Sequence, residues 1–271
     1  MRAAEPVLAP WKADLALGFS CRNHKSLLTE KRSNGPLVVQ KPLYPEGEGV
    51  CHAIVVHPPG GIAGGDELAL RARSEAGAHA LLTTPGAAKW YRTAGSWAKQ
   101  QLLFDIEGVL EWLPRETIVF DGALAELECI INLGAGARFI GWEVVCLGRT
   151  GSGERFNRGQ LKIKTRIDRH QRPLWIERGA VEGNGRLMQS PAGLGGHTVF
   201  GTFVATCSNL VPEARKAVLD SVAVTQLPEL LVARYLGDSS QEALRGFTAL
   251  WSALRPAVAG RAALEPRIWS T

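Results

Sequence analysis

Glu143 stands in Phe139-Ile140-Gly141-Trp142-Glu143-Val144-Val145-Cys146-Leu147, a run otherwise free of charge. An ionised carboxylate buried there without a partner costs several kcal/mol, about the stability of a whole domain. It therefore needs either a buried Arg beside it or a hydrated space that makes use of negative charge. Glu177, in Trp175-Ile176-Glu177-Arg178, and Glu182, in Val181-Glu182-Gly183, pose the same question less sharply, with local ion pairs as the simpler expectation. A fourth carboxylate, Asp66, closes the stretch His57-Pro58-Pro59-Gly60-Gly61-Ile62-Ala63-Gly64-Gly65-Asp66. A carboxylate in such a setting is either paired or functional, as in acid–base work.

The glycine-rich stretch invites a phosphate, and its context refuses one. A P-loop ends in Gly-Lys-Ser/Thr, whereas Gly65 is followed by an anionic Asp66. A dinucleotide fingerprint opens a helix, but Glu67-Leu68-Ala69-Leu70-Arg71-Ala72-Arg73 alternates like a strand. Gly60, Gly61, Gly64 and Gly65 then serve a close-packed bend between two strands. Asp66 can cap that bend by accepting backbone N–H groups. Nucleophilic chemistry has no better basis, because no Gly-x-Ser-x-Gly elbow is present. The histidines show neither HxxxH nor HExxH spacing. Cys51-His52 with His57 suggests a shared metal by residue type, but Cys51 and His52 are consecutive on a strand and point to opposite faces. Lys89, Tyr91 and Arg92 either bind an anion or a partner's carboxylates, or form a surface loop with Trp90 packed beneath it.

Positioning these groups falls to strands. Leu161, Ile163, Thr165 and Ile167 alternate with Lys162, Lys164, Arg166 and Asp168, and Ala125 to Leu133 alternates in the same way. With Trp11–Ser20, 37–41, 53–56, 67–73, 78–84, 102–106, 109–113, 137–147, 174–181 and 198–207, this makes about a dozen short strands at the spacing of all-β architecture. Residues 27–36 are polar and end in the turn signal Asn34-Gly35-Pro36. Two helices follow near the C-terminus. One covers Pro212–Val222; the other starts at a Ser239–Glu242 capping box, carries Leu244, Phe247, Leu250, Trp251 and Leu254, and stops at Pro256. Residues 256–271 show no period and are expected to be partly mobile.

The 271 residues fit one domain, and no linker divides them. A net charge of +5, with Lys and Arg scattered, describes a solvated surface rather than a nucleic-acid site. The odd number of cysteines, 5, without CxxC spacing predicts reduced thiols and a cytoplasmic protein. No secretory signal and no apolar run long enough to span a membrane is visible.

Several blocks together resemble one family. These are 57–66, then Thr83-Thr84-Pro85-Gly86-Ala87-Ala88-Lys89-Trp90-Tyr91-Arg92, then Leu110-Glu111-Trp112-Leu113-Pro114-Arg115-Glu116 with Phe120-Asp121-Gly122-Ala123, and Glu154-Arg155-Phe156 with Gly159. In order and spacing they are similar to the urease accessory protein UreD family, called UreH in some bacteria. The similarity runs from about residue 15 to about 235. Ala63 and Ala88 depart from it, standing where a larger aliphatic residue and a Ser or Thr are expected.

The resemblance implies a non-enzymatic nickel-insertion chaperone without a tightly bound cofactor. Such a protein binds apo-urease and UreF, and through UreF the GTPase UreG, in a hetero-oligomeric complex that delivers nickel to urease's carbamylated-lysine site. It also implies a mostly β fold in stacked, β-helix-like layers with two late helices. A water-filled internal tunnel carries nickel in this picture, and Asp66, Glu143, Glu177 and Glu182 are the candidates for lining it. The alternative is a carbohydrate-active hydrolase or lyase on a β-helix-like scaffold, using two carboxylates that converge in an open groove.

Overall fold

Alternating apolar residues broken by Gly and Pro give seventeen strands in the computed structural model, which describes residues 10–218 and 221–270. The first are β1 (Lys12–Arg22), β2 (Lys25–Asn34), β3 (Val38–Val39), β4 (Cys51–Val56), β5 (Glu67–Ser74), β6 (His79–Thr83), β7 (Ala88–Trp90) and β8 (Ala98–Ile106). Next come β9 (Val109–Leu113), β10 (Thr117–Val119), β11 (Leu124–Leu133), β12 (Arg138–Leu147), β13 (Gln160–Arg169) and β14 (Arg172–Glu182). A single helical turn, α1 (Arg186–Gln189), precedes β15 (Val199–Thr206). Then follow α2 (Val211–Ala217), β16 (Val222–Gln226), β17 (Leu230–Gly237) and the long α3 (Ser240–Ala259).

The strands form two large sheets. One has the order β14-β13-β11-β8-β5-β1-β2; the other is β16-β17-β15-β12-β9-β6-β4-β3, with β7 and β10 attached beside β12. The middle of each sheet is parallel: β1, β5, β8, β11 and β13 in the first, β4, β6, β9 and β12 in the second. From β4 to β13 the long strands alternate between the sheets, so the chain winds around itself in the expected β-helix-like layers. The winding leaves β12 packed on both faces. Phe139, Val145 and Leu147 pack into the core between the sheets, while Ile140, Trp142, Val144 and Cys146 pack into a second core under α3. Continuous apolar sequence is the signature of such two-faced burial.

Several elements differ from expectation. The turn at 35–36 is present, but 27–34 make up most of β2, an edge strand whose side chains are largely exposed and so carry no alternation. β16 and β17 were not foreseen. The first helix stops at Ala217 rather than Val222, and residues 219 and 220 of that expectation lie outside the described residues. Pro256 does not end α3, which continues to Ala259 before a left-handed Gly260. The proline sits on the exposed face, and Leu254, Arg255 and Val258 are buried on the opposite one and hold the helix down. At its start the Ser239 hydroxyl accepts the Glu242 N–H as expected. Glu242 does not reach back to Ser239: the Tyr235 hydroxyl accepts the Ser239 N–H and donates to Glu242. Beyond α3, the Trp269 indole packs on Trp142 and Trp251 and donates to the Thr83 hydroxyl at 2.8 Å. No helix among the described residues is long and apolar enough to cross a membrane.

Candidate functional site

Glu143 lies on the face of β12 that looks into the space between the sheets, where its strand neighbours Gly141 and Val145 border a cavity of about 550 Å³. The facing wall comes from β11, β13 and β14, including Cys129, Thr165, Glu177 and Gly179. Most of the remaining lining is apolar, with Trp112, Phe139, Ile163 and Trp175 contributing large surfaces. A Cβ on Gly179 would meet nothing within 4 Å, so the absence of a side chain there keeps the wall of the cavity open beside Glu177. Ala88, at the position where a hydroxyl was expected, also borders the cavity.

Glu143 has no hydrogen-bond or ion-pair partner among the described residues; it is half-buried, and its carboxyl meets the cavity. Burial, and then the nearby charge of Glu177, push its carboxyl up from 4.5 to about 7. Burial together with the Glu143 charge also pushes the Cys129 thiol up. Glu177 is not free: the Arg234 guanidinium of β17 donates to it at 2.6 Å across the gap between the sheets. Register explains the geometry. Glu143, Thr202 and Arg234 are Cα partners in one row across β12, β15 and β17, so all present the same face.

The buried Arg that was one expectation for Glu143 serves other carboxylates. Arg255 of α3 is wholly buried and donates to Glu111 at 2.9–3.1 Å and to Glu46 at 2.6 and 2.8 Å. Glu111 also accepts from the Trp251 indole at 2.5 Å and lies 2.6 Å from His79 Nε2. His52 Nε2 lies 2.6 Å from Glu46, which directs this histidine away from any metal shared with Cys51 and His57. The network ties α3 to β9 and to the loop before β4. A buried charge cluster completed in this way positions a helix and is not a reactive site.

The glycine-rich stretch and the 83–92 segment form one unit. Ile62 N–H donates to Lys89 O at 2.7 Å, and Tyr91 N–H donates to Ile62 O at 2.9 Å. A Cβ on Gly61 would overlap the Tyr91 ring, and one on Gly64 would overlap Thr93. Gly60 and Gly65 take positive φ, of 74° and 95°. Asp66 is buried and accepts N–H groups of Trp11 at 2.8 Å and Ala63 at 2.7 Å, one on each oxygen. The capping role is therefore present in full. His57 Nε2 is buried without a partner, and burial lowers its pKa. Lys89, Tyr91 and Arg92 are exposed above a buried Trp90, and Tyr91 meets Phe120 edge-on at 5.0 Å. Glu182 is exposed at the end of β14 and does not border the cavity.

Of the four carboxylates singled out in the sequence, the fold brings Glu143 and Glu177 to one cavity and leaves Asp66 and Glu182 off its walls. Arg234 was missed, because it stands on the unforeseen β17 in Leu230-Leu231-Val232-Ala233-Arg234. A lone charge in that apolar run was the available signal, the same one that marked Glu143. Among the described residues no three His, Cys, Asp or Glu side chains gather closely enough to hold a metal ion as a closed site.

Residues 12–270 match the family model described as UreD urease accessory protein. A urease accessory protein UreD of Dechloromonas aromatica is 50% identical, with 99% of this chain and 98% of the relative aligned. Those of Azoarcus sp. and Methylobacillus flagellatus are 48% and 46% identical, covering 100% and 96% of this chain and 98% and 95% of their own lengths. With a match that spans both sheets, the cavity between them and the closing helix, the chain belongs to the UreD family of urease accessory proteins.

Proposed function

We propose that the chain is a non-enzymatic metallochaperone of urease maturation, acting in the cytoplasm as scaffold and conduit. It binds apo-urease and UreF, and through UreF the GTPase UreG, and Ni²⁺ crosses its inter-sheet cavity on the way to urease. The observation that carries this reading is the unpartnered Glu143 carboxyl facing a cavity whose other wall holds Glu177. A domain keeps so costly a group where function uses it. Two carboxylates set among apolar walls attract a divalent cation and release it again, because they provide too few ligands for tight, octahedral coordination. The cavity far exceeds the roughly 30 Å³ that one water occupies in the liquid, so an ion can keep much of its hydration shell.

Carboxylate-based glycoside chemistry would have to use the same Glu143–Glu177 pair. Its second member is already neutralised by Arg234, and the relatives carry the name of accessory proteins. That reading has no observation in its favour. Co-expression of urease with and without the chain, followed by co-purification and nickel analysis, tests the proposed role. Urease and UreF are expected to co-purify with the chain, and urease made without it is expected to lack nickel. Full nickel content in its absence would end the proposal.

A further inference from the structure

Arg234 is the cation paired with the cavity's Glu177, and it is held from three directions. Its guanidinium donates to Glu177 at 2.6 Å and to the Thr202 hydroxyl at 3.4 Å, and it lies over the Trp175 ring at 5.6 Å from the centroid. The Arg234 side chain is 51% exposed and Glu177 24% exposed, so the pair stands at a mouth of the cavity between β14 and β17. Glu143 is further in on the same row, two strands away, which is about 10 Å at ordinary strand spacing. Thr202 lies between them. A long, flexible arginine on this row has one carboxylate in hand and the other within the same enclosure.

We propose that Arg234 is a tethered counter-cation that occupies the mouth of the cavity and is displaced by an entering divalent cation. The inference rests on the cavity being a cation route. Charge balance supports it. With both carboxylates ionised, Glu143, Glu177 and Arg234 leave one net negative charge, which a monovalent cation satisfies at Glu143 alone without disturbing Arg234. A divalent cation reaching both carboxylates neutralises them fully only when the guanidinium leaves Glu177. The exposure of Arg234 gives it somewhere to go, since its swing into water exchanges one hydrogen-bonded state for a hydrated one. Arg234 thus stays on Glu177 when a monovalent ion is present and sets the threshold for a divalent one.

Titration of the full-length chain with Ni²⁺ alone at about pH 8, where Glu143 is ionised, tests this. The variants are Arg234→Met and Arg234→Gln, which keep the length or the polarity of the side chain without its charge, each with and without Glu143→Gln. Two variants at a half-exposed position guard against a folding defect in either, and far-ultraviolet circular dichroism checks both. The expected result is Ni²⁺ binding at least about tenfold tighter in both Arg234 variants than in the wild type, lost on adding Glu143→Gln. Equal or weaker binding in the variants, with dependence on Glu143 retained, would overturn the tethered cation and leave the cation route standing. Absence of any Glu143-dependent binding in wild type and variants would overturn both.

Discussion

Replacing Glu143 by Gln should make the protein more stable and less useful. Its carboxyl moves from 4.5 in an unfolded chain to about 7 in the fold, because burial and then the Glu177 charge disfavour ionisation. Below pH 4.5 both states hold the proton, and the residue costs nothing. Between 4.5 and about 7 the unfolded chain ionises first, so folding stability falls as pH rises. Above about 7 the cost is complete, about 3 kcal/mol at about 1.4 kcal/mol per pH unit. Glutamine keeps the shape, carries no charge, and can be hydrated by the same cavity. Urea unfolding of wild type and Glu143→Gln at about pH 5 and about pH 8 measures the difference. The variant should gain about 2–3 kcal/mol at the higher pH and much less than half of that at the lower one. No gain at pH 8, or the same difference at both values, would refute the assignment of Glu143 as an unpaired carboxylate facing the cavity.

The buried network makes the opposite demand. Arg255→Met should cost about 3–5 kcal/mol by taking the buried guanidinium away from Glu111 and Glu46, and adding Glu111→Gln and Glu46→Gln should recover a large part of the loss in thermal unfolding. Burial opposes ionisation of Glu46, yet hydrogen bonds from His52 and Arg255 outweigh it and hold its carboxyl at about 2. Stability from this group is therefore complete above about pH 4.5 and disappears as pH falls towards 2, so Glu46→Gln should flatten the acid limb of a stability–pH curve. In the glycine-rich bend, Gly61→Ala should cost about 1–3 kcal/mol by pushing on the Tyr91 ring, and Tyr91→Ala in the same chain should relieve most of the clash.

Much of this was legible in the chain because period-two alternation survives wherever a strand has one wet face. β11 and β13 announced themselves in that way, and the strand after Asp66 was enough to dismiss a phosphate loop. β2 was hidden by the opposite circumstance: an exposed edge strand needs no apolar face. Glu143 was found because a charge inside β12 has no cheap explanation, and the fold supplied the cavity. What no local pattern could carry was pairing across sequence distance. The choice of Glu111 over Glu143 as Arg255's partner spans 144 residues, and the Glu177–Arg234 pair spans 57 residues and joins two sheets. The parallel winding that creates the inter-sheet space likewise depends on which strands lie side by side, and several sheet orders fit the same strand series.

The claim at the centre of this account is that Ni²⁺ reaches urease across the cavity that Glu143 faces. Nickel content per urease active site, measured after maturation with Glu143→Gln in place of the wild-type chain, tests it most directly. Amounts of chain, UreF and urease recovered together serve as the internal control. The account predicts that the complex assembles as before and that urease emerges with well under half of its nickel. Urease fully loaded with nickel by an assembled complex carrying Glu143→Gln would contradict it.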